Sequence, residues 1–319
     1  MITMNEFVKS PQIRQAEAEW LEEKVGEGAS GETIRTYRAS MNAIAKRIDF
    51  SMPVDKLTQK VVNRMITVML DEGLSRTTIQ TYVRTLSVFM SFCRKQGYSD
   101  EVIKKYHAPE AVKPTYSDDD LERLLRKPNM KRCTFPEYRT WVMICLAMNN
   151  GCRAGTMRNI LIKDINFDMG YILTRHNKNG HIQSMPMSSD LIDVLREYLS
   201  IRKGEPEDFL FCDEQGKQLT QNALRLAVKR FNKKRGVVGT SIHQFRHTFA
   251  RKYLLECGGD AFTLQKLLGH STLEMTKHYC NIYDAELTRN YDARSPLTLM
   301  RKKTKGTERI SVRKGKRDE

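Results

Sequence analysis

Six side chains whose chemistry suits cleavage of a phosphodiester are spread between residues 153 and 279. They are one phenol, two guanidinium groups, one ammonium and two imidazoles, carried by Tyr279, Arg153, Arg246, Lys178, His243 and His270. A hydroxyl nucleophile with these cations is what attack on a phosphate without a metal ion would require. The phenol needs activation, since a pKa near 10 leaves about one phenol in a thousand ionised at neutral pH. A base or a positive field can supply that activation.

The two arginines are candidates for a phosphate clamp. A guanidinium is always charged and can donate to two oxygens at once. Fixed donors aimed at oxygens that gain charge are usually the largest contribution to this kind of catalysis. His243 precedes Arg246 by three residues, and such positions share one face of a helix. We therefore expect both to reach the same phosphate, with His243 as general base on the Tyr279 hydroxyl and as acid in the reverse step.

The order and spacing of these motifs resemble the tyrosine site-specific recombinases, the integrase family that includes the Xer recombinases, over nearly the whole chain. The motifs are Gly151-Cys152-Arg153, His243-Gln244-Phe245-Arg246, Leu268-Gly269-His270 and Tyr279. The nine-residue spacing from His270 favours Tyr279 over Tyr283 and Tyr291 as the nucleophile. The resemblance also implies that His270 donates a hydrogen bond to the phosphate and that Lys178 protonates the departing 5′ oxygen.

Two supporting positions depart from the family pattern. Thr156 stands where the family commonly has Glu, three residues after the first arginine. Asn149 and Asn150 precede Gly151, where Thr is more usual. Because the six proposed reacting residues are all present, we expect these changes to alter supporting contacts without removing activity.

The resemblance implies a reaction on double-stranded DNA through a 3′-phosphotyrosine intermediate and a Holliday junction. The covalent link retains the bond energy, so no ATP is needed, and the sequence contains no G-x-x-x-x-G-K-[ST] loop. No cofactor and no metal are expected. The family acts as a tetramer on two DNA sites, so self-association is expected as well.

The composition favours a polyanion as partner, since the net charge is +16 and the sequence pI is about 9.5. Seven isolated cysteines without a metal-ligand spacing indicate reduced thiols rather than a disulfide framework. The first residues, Met1 to Arg14, contain no long apolar run, and no stretch approaches the roughly 18 apolar residues of a membrane span. We therefore expect a soluble, cytoplasmic, nucleoid-associated protein with no membrane partner.

The elements that must position the site divide the chain into two domains. Helical periodicity predicts four helices, at Ile13–Val25, Thr33–Ile48, Lys56–Leu70 and from Ser75 to near Gly97. Four helices with short connections make a compact bundle, and the pattern resembles the family's helical core-binding (SAM-like) domain, which we assign to residues 1–107. Residues 108–116 contain Pro109 and Pro114 and are predicted to be a linker.

Residues 117–298 are predicted to form a mixed, mostly helical catalytic domain with a small antiparallel sheet. A helix should begin after Ser117, which is followed by three aspartates. Asn179-Gly180, between the predicted strands Tyr171–Thr174 and Ile182–Met185, is a strong hairpin signal. Residues 299–319 form a basic, polar tail that we expect to be disordered when free.

Three other functions explain part of the sequence. A non-catalytic, sequence-specific DNA-binding protein explains the charge but not six reactive residues in order. A type IB topoisomerase uses similar chemistry, although the compact first domain argues mildly against it. A metal-dependent nuclease is disfavoured because no carboxylate cluster accompanies the histidines.

The sequence does not give the target DNA, the role of the tail or any accessory protein. Nor does it distinguish a mobile-element integrase or transposase from a chromosome-dimer resolvase.

Overall fold

The computed structural model describes residues 10–109, 114–175, 182–238, 241–276, 295, 297, 298 and 300. The chain divides into two compact units, Met1–Ala111 and Val112–Glu319. Each unit has its own apolar core. No helix among the described residues is long and apolar enough to cross a membrane.

The first unit is the predicted bundle of four helices. They are α1 (Ile13–Gly26), α2 (Gly31–Ala45), α3 (Gln59–Asp71) and α4 (Arg76–Lys95). α2 and α4 begin after serines whose hydroxyls accept a backbone hydrogen bond from the third residue of the helix. α3 begins three residues later than predicted, because a short 3-10 helix (Val54–Lys56) precedes it. Trp20 lies in the core against the rings of Tyr37 and Phe89.

The second unit is mostly helical with one small sheet, as predicted. Its helices are α5 (Asp118–Leu125), α6 (Phe135–Asn150), α7 (Ala154–Arg158), α8 (Ser189–Arg202), α9 (Gln221–Lys234), α10 (Ile242–Leu255) and α11 (Ala261–Leu268). α5 begins where predicted, since the Ser117 hydroxyl accepts a hydrogen bond from the Asp120 amide at 3.1 Å. After His270 the chain is helical again from Glu274 within the described residues.

Three antiparallel strands form the sheet in the order β1 (Ile165–Asn166), β2 (Tyr171–Thr174) and β3 (Gln183–Pro186). Both strands of the predicted hairpin are confirmed, with β3 beginning one residue later than predicted. Thr174 pairs with Gln183, and the Thr174 hydroxyl donates to the Gln183 carbonyl at 3.0 Å. The predicted Asn179-Gly180 turn lies outside the described residues.

α6 is the central helix of the second unit and packs against α5, α8, α9 and α10. The second half of α10 and α11 form a separate small apolar cluster, built on Phe249, Leu254, Leu264 and Leu268. Polar side chains from β3, Arg153 and α10 also contact the end of α11.

Candidate active site

Arg246 joins the ends of two helices in the second unit. It lies one turn into α10 and is only 5% exposed. Its Nη1 donates to the carbonyl of Gly151, just after α6, at 2.8 Å. Its Nη2 donates to the carbonyl of Leu268, the last residue of α11, also at 2.8 Å. The guanidinium orientation is therefore fixed by backbone acceptors from two separate elements.

Arg153 reaches the same end of α11 from another direction. It is the N-cap residue of α7, and its Nη1 donates to the carbonyls of Leu268 and Gly269 at 3.1 and 3.2 Å. The Leu268 carbonyl thus accepts from both arginines. The carbonyl end of a helix carries partial negative charge, which favours two cations at this position. The two arginines of the predicted phosphate clamp are brought together.

His270 completes the described part of the cluster. Gly269 ends α11 in the left-handed conformation, and the His270 ring then lies with Nε2 2.8 Å from Arg246 Nη2. A guanidinium can only donate, so Nε2 accepts and the imidazole is neutral with its proton on Nδ1. That proton is donated to the hydroxyl of Thr276, a fully buried residue 2.9 Å away.

Of the other three predicted site residues, the structure describes only His243. His243 is exposed on the first turn of α10, where its amide donates to the Ser241 hydroxyl at 3.1 Å. It lies three residues before Arg246 on the same helix, about 4.5 Å along the helix axis. Lys178 and Tyr279 lie outside the described residues. The catalytic roles of all six side chains remain predictions.

Two of the residues that hold this cluster lie outside the sequence motifs. Thr276 contacts the His270 ring, and the one sequence signal for it is its place three positions before Tyr279. Gln183 donates from Nε2 to the carbonyls of Lys266 and Leu267 at 2.6 and 3.0 Å. These acceptors lie more than eighty residues along the chain, so no local pattern indicates the contact.

Four successive carbonyls at the end of α11 therefore accept hydrogen bonds from three side chains. The carbonyls are those of Lys266, Leu267, Leu268 and Gly269, and the donors are Gln183, Arg153 and Arg246. Carbonyls at a helix end have no partner within the helix. Here the side chains that meet that need are the proposed catalytic arginines and one glutamine, and the Gly269 amide also donates to the Lys266 carbonyl at 3.0 Å.

The Gly151-Cys152 pair beside Arg153 has structural roles. Gly151 has a φ of +64°, and a Cβ there would lie 2.6 Å from Phe249 Cδ1 and 2.7 Å from Leu268 Cδ2. Glycine is required both for this backbone conformation and for the close approach of Phe249 in α10 and Leu268 in α11 to the Gly151 backbone. Burial raises the pKa of the Cys152 thiol to about 12, so the thiol next to the arginines is not a competing nucleophile.

Replacing Gly151 with alanine should destabilise the second unit more than the same change at Gly216. Both glycines have positive φ, but nothing lies within 4 Å of a Cβ at Gly216. Backbone strain of about 1–3 kcal/mol is common to both variants, whereas overpacking adds about 1–3 kcal/mol only at Gly151. The thermal unfolding midpoint of Gly151→Ala should be lower than that of Gly216→Ala by roughly 2–12 °C. Equal midpoints would contradict the tight packing at Gly151.

Residues 115–286 match the phage integrase family. Tyrosine recombinase XerC of Corynebacterium glutamicum is 27% identical over 281 residues, which are 84% of this chain and 87% of that protein. Tyrosine recombinase XerA of Pyrococcus furiosus is 26% identical over 262 residues, covering 80% and 85%. The matched range contains all six candidate residues.

Two solved structures share the fold. The Tn1549 transposon integrase in complex with transposon right end DNA has a TM-score of 0.70 at 18% identity, covering 89% of this chain and 99% of that chain. A lambda integrase tetramer bound to a Holliday junction has a TM-score of 0.70 at 18% identity, covering 87% and 80%.

Proposed function

The chain belongs to the phage integrase family and is a tyrosine site-specific recombinase, and we propose that its six candidate residues cut and rejoin DNA through a 3′-phosphotyrosine intermediate. The observation that carries this proposal is the convergence of Arg153, Arg246 and His270 at the end of α11. Tyr279 follows Thr276, which contacts His270, by three positions in the sequence. This spacing supports a nucleophile close to the arginines.

In the proposed reaction the Tyr279 oxygen attacks the scissile phosphorus and the bond to the 5′ oxygen breaks. His243 takes the phenol proton, and Lys178 gives a proton to the departing 5′ oxygen. The product is a phosphotyrosine on the 3′ side and a free 5′ hydroxyl. A 5′ hydroxyl from the partner strand then attacks this link and regenerates the phenol, so no external energy source is consumed.

Arg153 and Arg246 would hold the non-bridging oxygens as negative charge grows on them. Their side chains are already oriented by backbone carbonyls, so little reorganisation is needed when the phosphate arrives. His270 has a different requirement. Its Nε2 accepts from Arg246 in the DNA-free protein, so donation from Nε2 to a phosphate requires either the other neutral tautomer, with Nδ1 accepting from the Thr276 hydroxyl, or a second proton on the ring. A nearby phosphate favours that protonated form.

We propose double-stranded DNA as the partner, with residues 1–107 and 117–298 both contributing phosphate contacts, and the nucleoid as the site of action. The net charge of +16 supports this partner, and affinity carried by such contacts should fall steeply with salt. The lambda integrase structure is a tetramer on a Holliday junction. By analogy, we propose that this chain assembles as a tetramer on two DNA sites.

The test uses DNA recovered from the host genome by binding to the full-length protein. A nicked version of this site, from which the short cleaved strand diffuses away, should trap a covalent protein–DNA adduct. Two intact sites on one molecule should then recombine. An adduct without recombination between sites would favour a topoisomerase, and cleavage without an adduct would favour a nuclease. A shifted band with neither cleavage nor adduct would leave only a DNA-binding protein.

A further inference from the structure

Side chains contact both nitrogens of the His270 ring. Nε2 lies 2.8 Å from Arg246 Nη2, and Nδ1 lies 2.9 Å from the Thr276 hydroxyl. The backbone of His270 is held separately by Gln265, whose carbonyl accepts from the His270 amide at 3.0 Å and whose Nε2 donates to the His270 carbonyl at 3.3 Å. The last torsion of a histidine side chain has only a broad intrinsic preference. The two contacts at the nitrogens are therefore what set the orientation of the ring.

Thr276 presents its hydroxyl to the ring from a fixed position. The residue is fully buried, and its amide donates to the Leu273 carbonyl at 2.8 Å. A β-branched side chain has few allowed rotamers, so a fixed backbone also restricts where the hydroxyl can lie. The partner of Nδ1 is thus a group of the protein interior, which remains in place when DNA arrives.

A hydroxyl suits a ring that must reverse the direction of a hydrogen bond. In the DNA-free protein Nε2 of His270 accepts from Arg246, so Nδ1 carries the proton and donates to the Thr276 hydroxyl. Once Nε2 donates to a phosphate, Nδ1 is an acceptor in the neutral ring and a donor in the protonated ring. A hydroxyl can pair with Nδ1 in both cases, whereas a carboxylate or a backbone carbonyl could only accept.

We propose that Thr276 is a positioning residue, whose hydroxyl keeps Nε2 of His270 turned towards Arg246 and the scissile phosphate, both before and after Nε2 changes from acceptor to donor. This inference rests on the proposed function, because it takes His270 as a donor to the phosphate. A donor misplaced by about 1 Å can cost about 100-fold in rate. Thr276 itself need not touch DNA to have this effect.

The chemistry of the contact defines the test variants. Thr276→Val removes the hydroxyl and keeps the branched shape of the side chain, and Thr276→Ala serves if the valine variant does not fold. Thr276→Ser keeps the hydroxyl and is the conservative variant. Thr140→Val is the matched control, because Thr140 is also a buried helical threonine, with its hydroxyl donating to the Pro136 carbonyl at 2.6 Å. It lies about 15 Å along α6 from the helix end at Asn150.

The contact is tested first in the full-length protein without DNA. Nitrogen-15 spectra of the histidine rings report which ring nitrogen carries the proton, and the signals of His270 are those missing from His270→Ala. The neutral ring should be protonated at Nδ1 in wild type and in Thr276→Ser. Thr276→Val should shift the Nδ1 signal, because that nitrogen loses its partner. An unchanged Nδ1 signal in Thr276→Val, or a wild-type ring protonated at Nε2, would overturn the inference.

The role of the contact is tested by single-turnover cleavage of the nicked substrate. Thr276→Val should cleave about 10- to 100-fold more slowly than wild type, and Thr276→Ser should recover most of that rate. Thr140→Val should cleave at the wild-type rate. In the His270→Ala background, Thr276→Val should cause no further loss, because the hydroxyl acts only through the ring.

The other outcomes separate a failure of the inference from a failure of the proposed function. If the losses multiply in the double variant, Thr276 acts through the fold and the inference fails. If His270→Ala is slow and Thr276→Val cleaves normally, only the inference about Thr276 is lost. If His270→Ala cleaves at the wild-type rate, the proposed phosphate contact of His270 fails, and the positioning role of Thr276 fails with it.

Discussion

Replacing Tyr279 with phenylalanine should abolish covalent attachment to DNA and leave DNA binding unchanged. The variant loses one hydroxyl, which in the proposed reaction is the nucleophile itself. Loss of a nucleophile costs several orders of magnitude in rate, and here we expect about 10,000-fold or more. The measurement is adduct formation on the nicked substrate, alongside binding of the same DNA. The phosphate contacts that carry affinity do not involve the phenol, so the binding curves should coincide.

Tyr283→Phe and Tyr291→Phe are the matched controls for this result. Both residues lie near Tyr279 in sequence, and Tyr283 follows it by four positions. Each variant should form the adduct at the wild-type rate. Adduct formation that survives Tyr279→Phe but is lost in either control would move the nucleophile to another residue.

Replacing Arg246 with lysine should lower the cleavage rate by about 100- to 1000-fold, the loss typical of one donor to a developing oxyanion. Lysine keeps the positive charge but presents a single ammonium instead of a planar fork. It cannot donate at once to the carbonyls of Gly151 and Leu268 and to the His270 ring, as Arg246 does. The His270 ring and the remaining cations would therefore lose the side chain that fixes their positions relative to each other. Single-turnover cleavage on the nicked substrate measures this loss.

Arg196→Lys is the control for the arginine-to-lysine change. Arg196 is exposed on α8 and lies over the ring of Phe167, with 5.4 Å between its Cζ and the ring centroid. This contact tolerates the exchange, so cleavage should stay at the wild-type rate. Arg246→Lys should also unfold at a lower temperature, because loss of the donor to the buried Gly151 carbonyl costs about 1–3 kcal/mol, whereas the Leu268 carbonyl keeps its hydrogen bond from Arg153. An unchanged cleavage rate in Arg246→Lys would exclude the guanidinium fork as the phosphate donor.

Local patterns predicted most of the fold. Helical periodicity gave the four helices of the first unit, and the serine before three aspartates gave the start of α5. These features depend on residues within one or two turns of each other. The start of α3 was predicted three residues early, because apolar spacing does not distinguish a 3-10 turn from the first turn of an α-helix.

The site was predicted in part. The motif spacing indicated Arg153, Arg246 and His270 as a group, and the structure brings these three together. The shared acceptor, the carbonyl end of α11, could not be predicted, because backbone groups carry no sequence signal. The contact of Gln183 with α11 and the approach of Gly151 to Leu268 join residues far apart in the chain. Such contacts depend on how whole elements pack.

Cleavage by Tyr279 is tested by identifying the bond that joins protein and DNA. The adduct trapped on the nicked substrate is digested with nuclease and protease, and the modified peptide is sequenced by mass spectrometry. We expect a single phosphotyrosine at Tyr279, linked to the 3′ side of the cleaved strand. A link to another residue, or to the 5′ side, would contradict it.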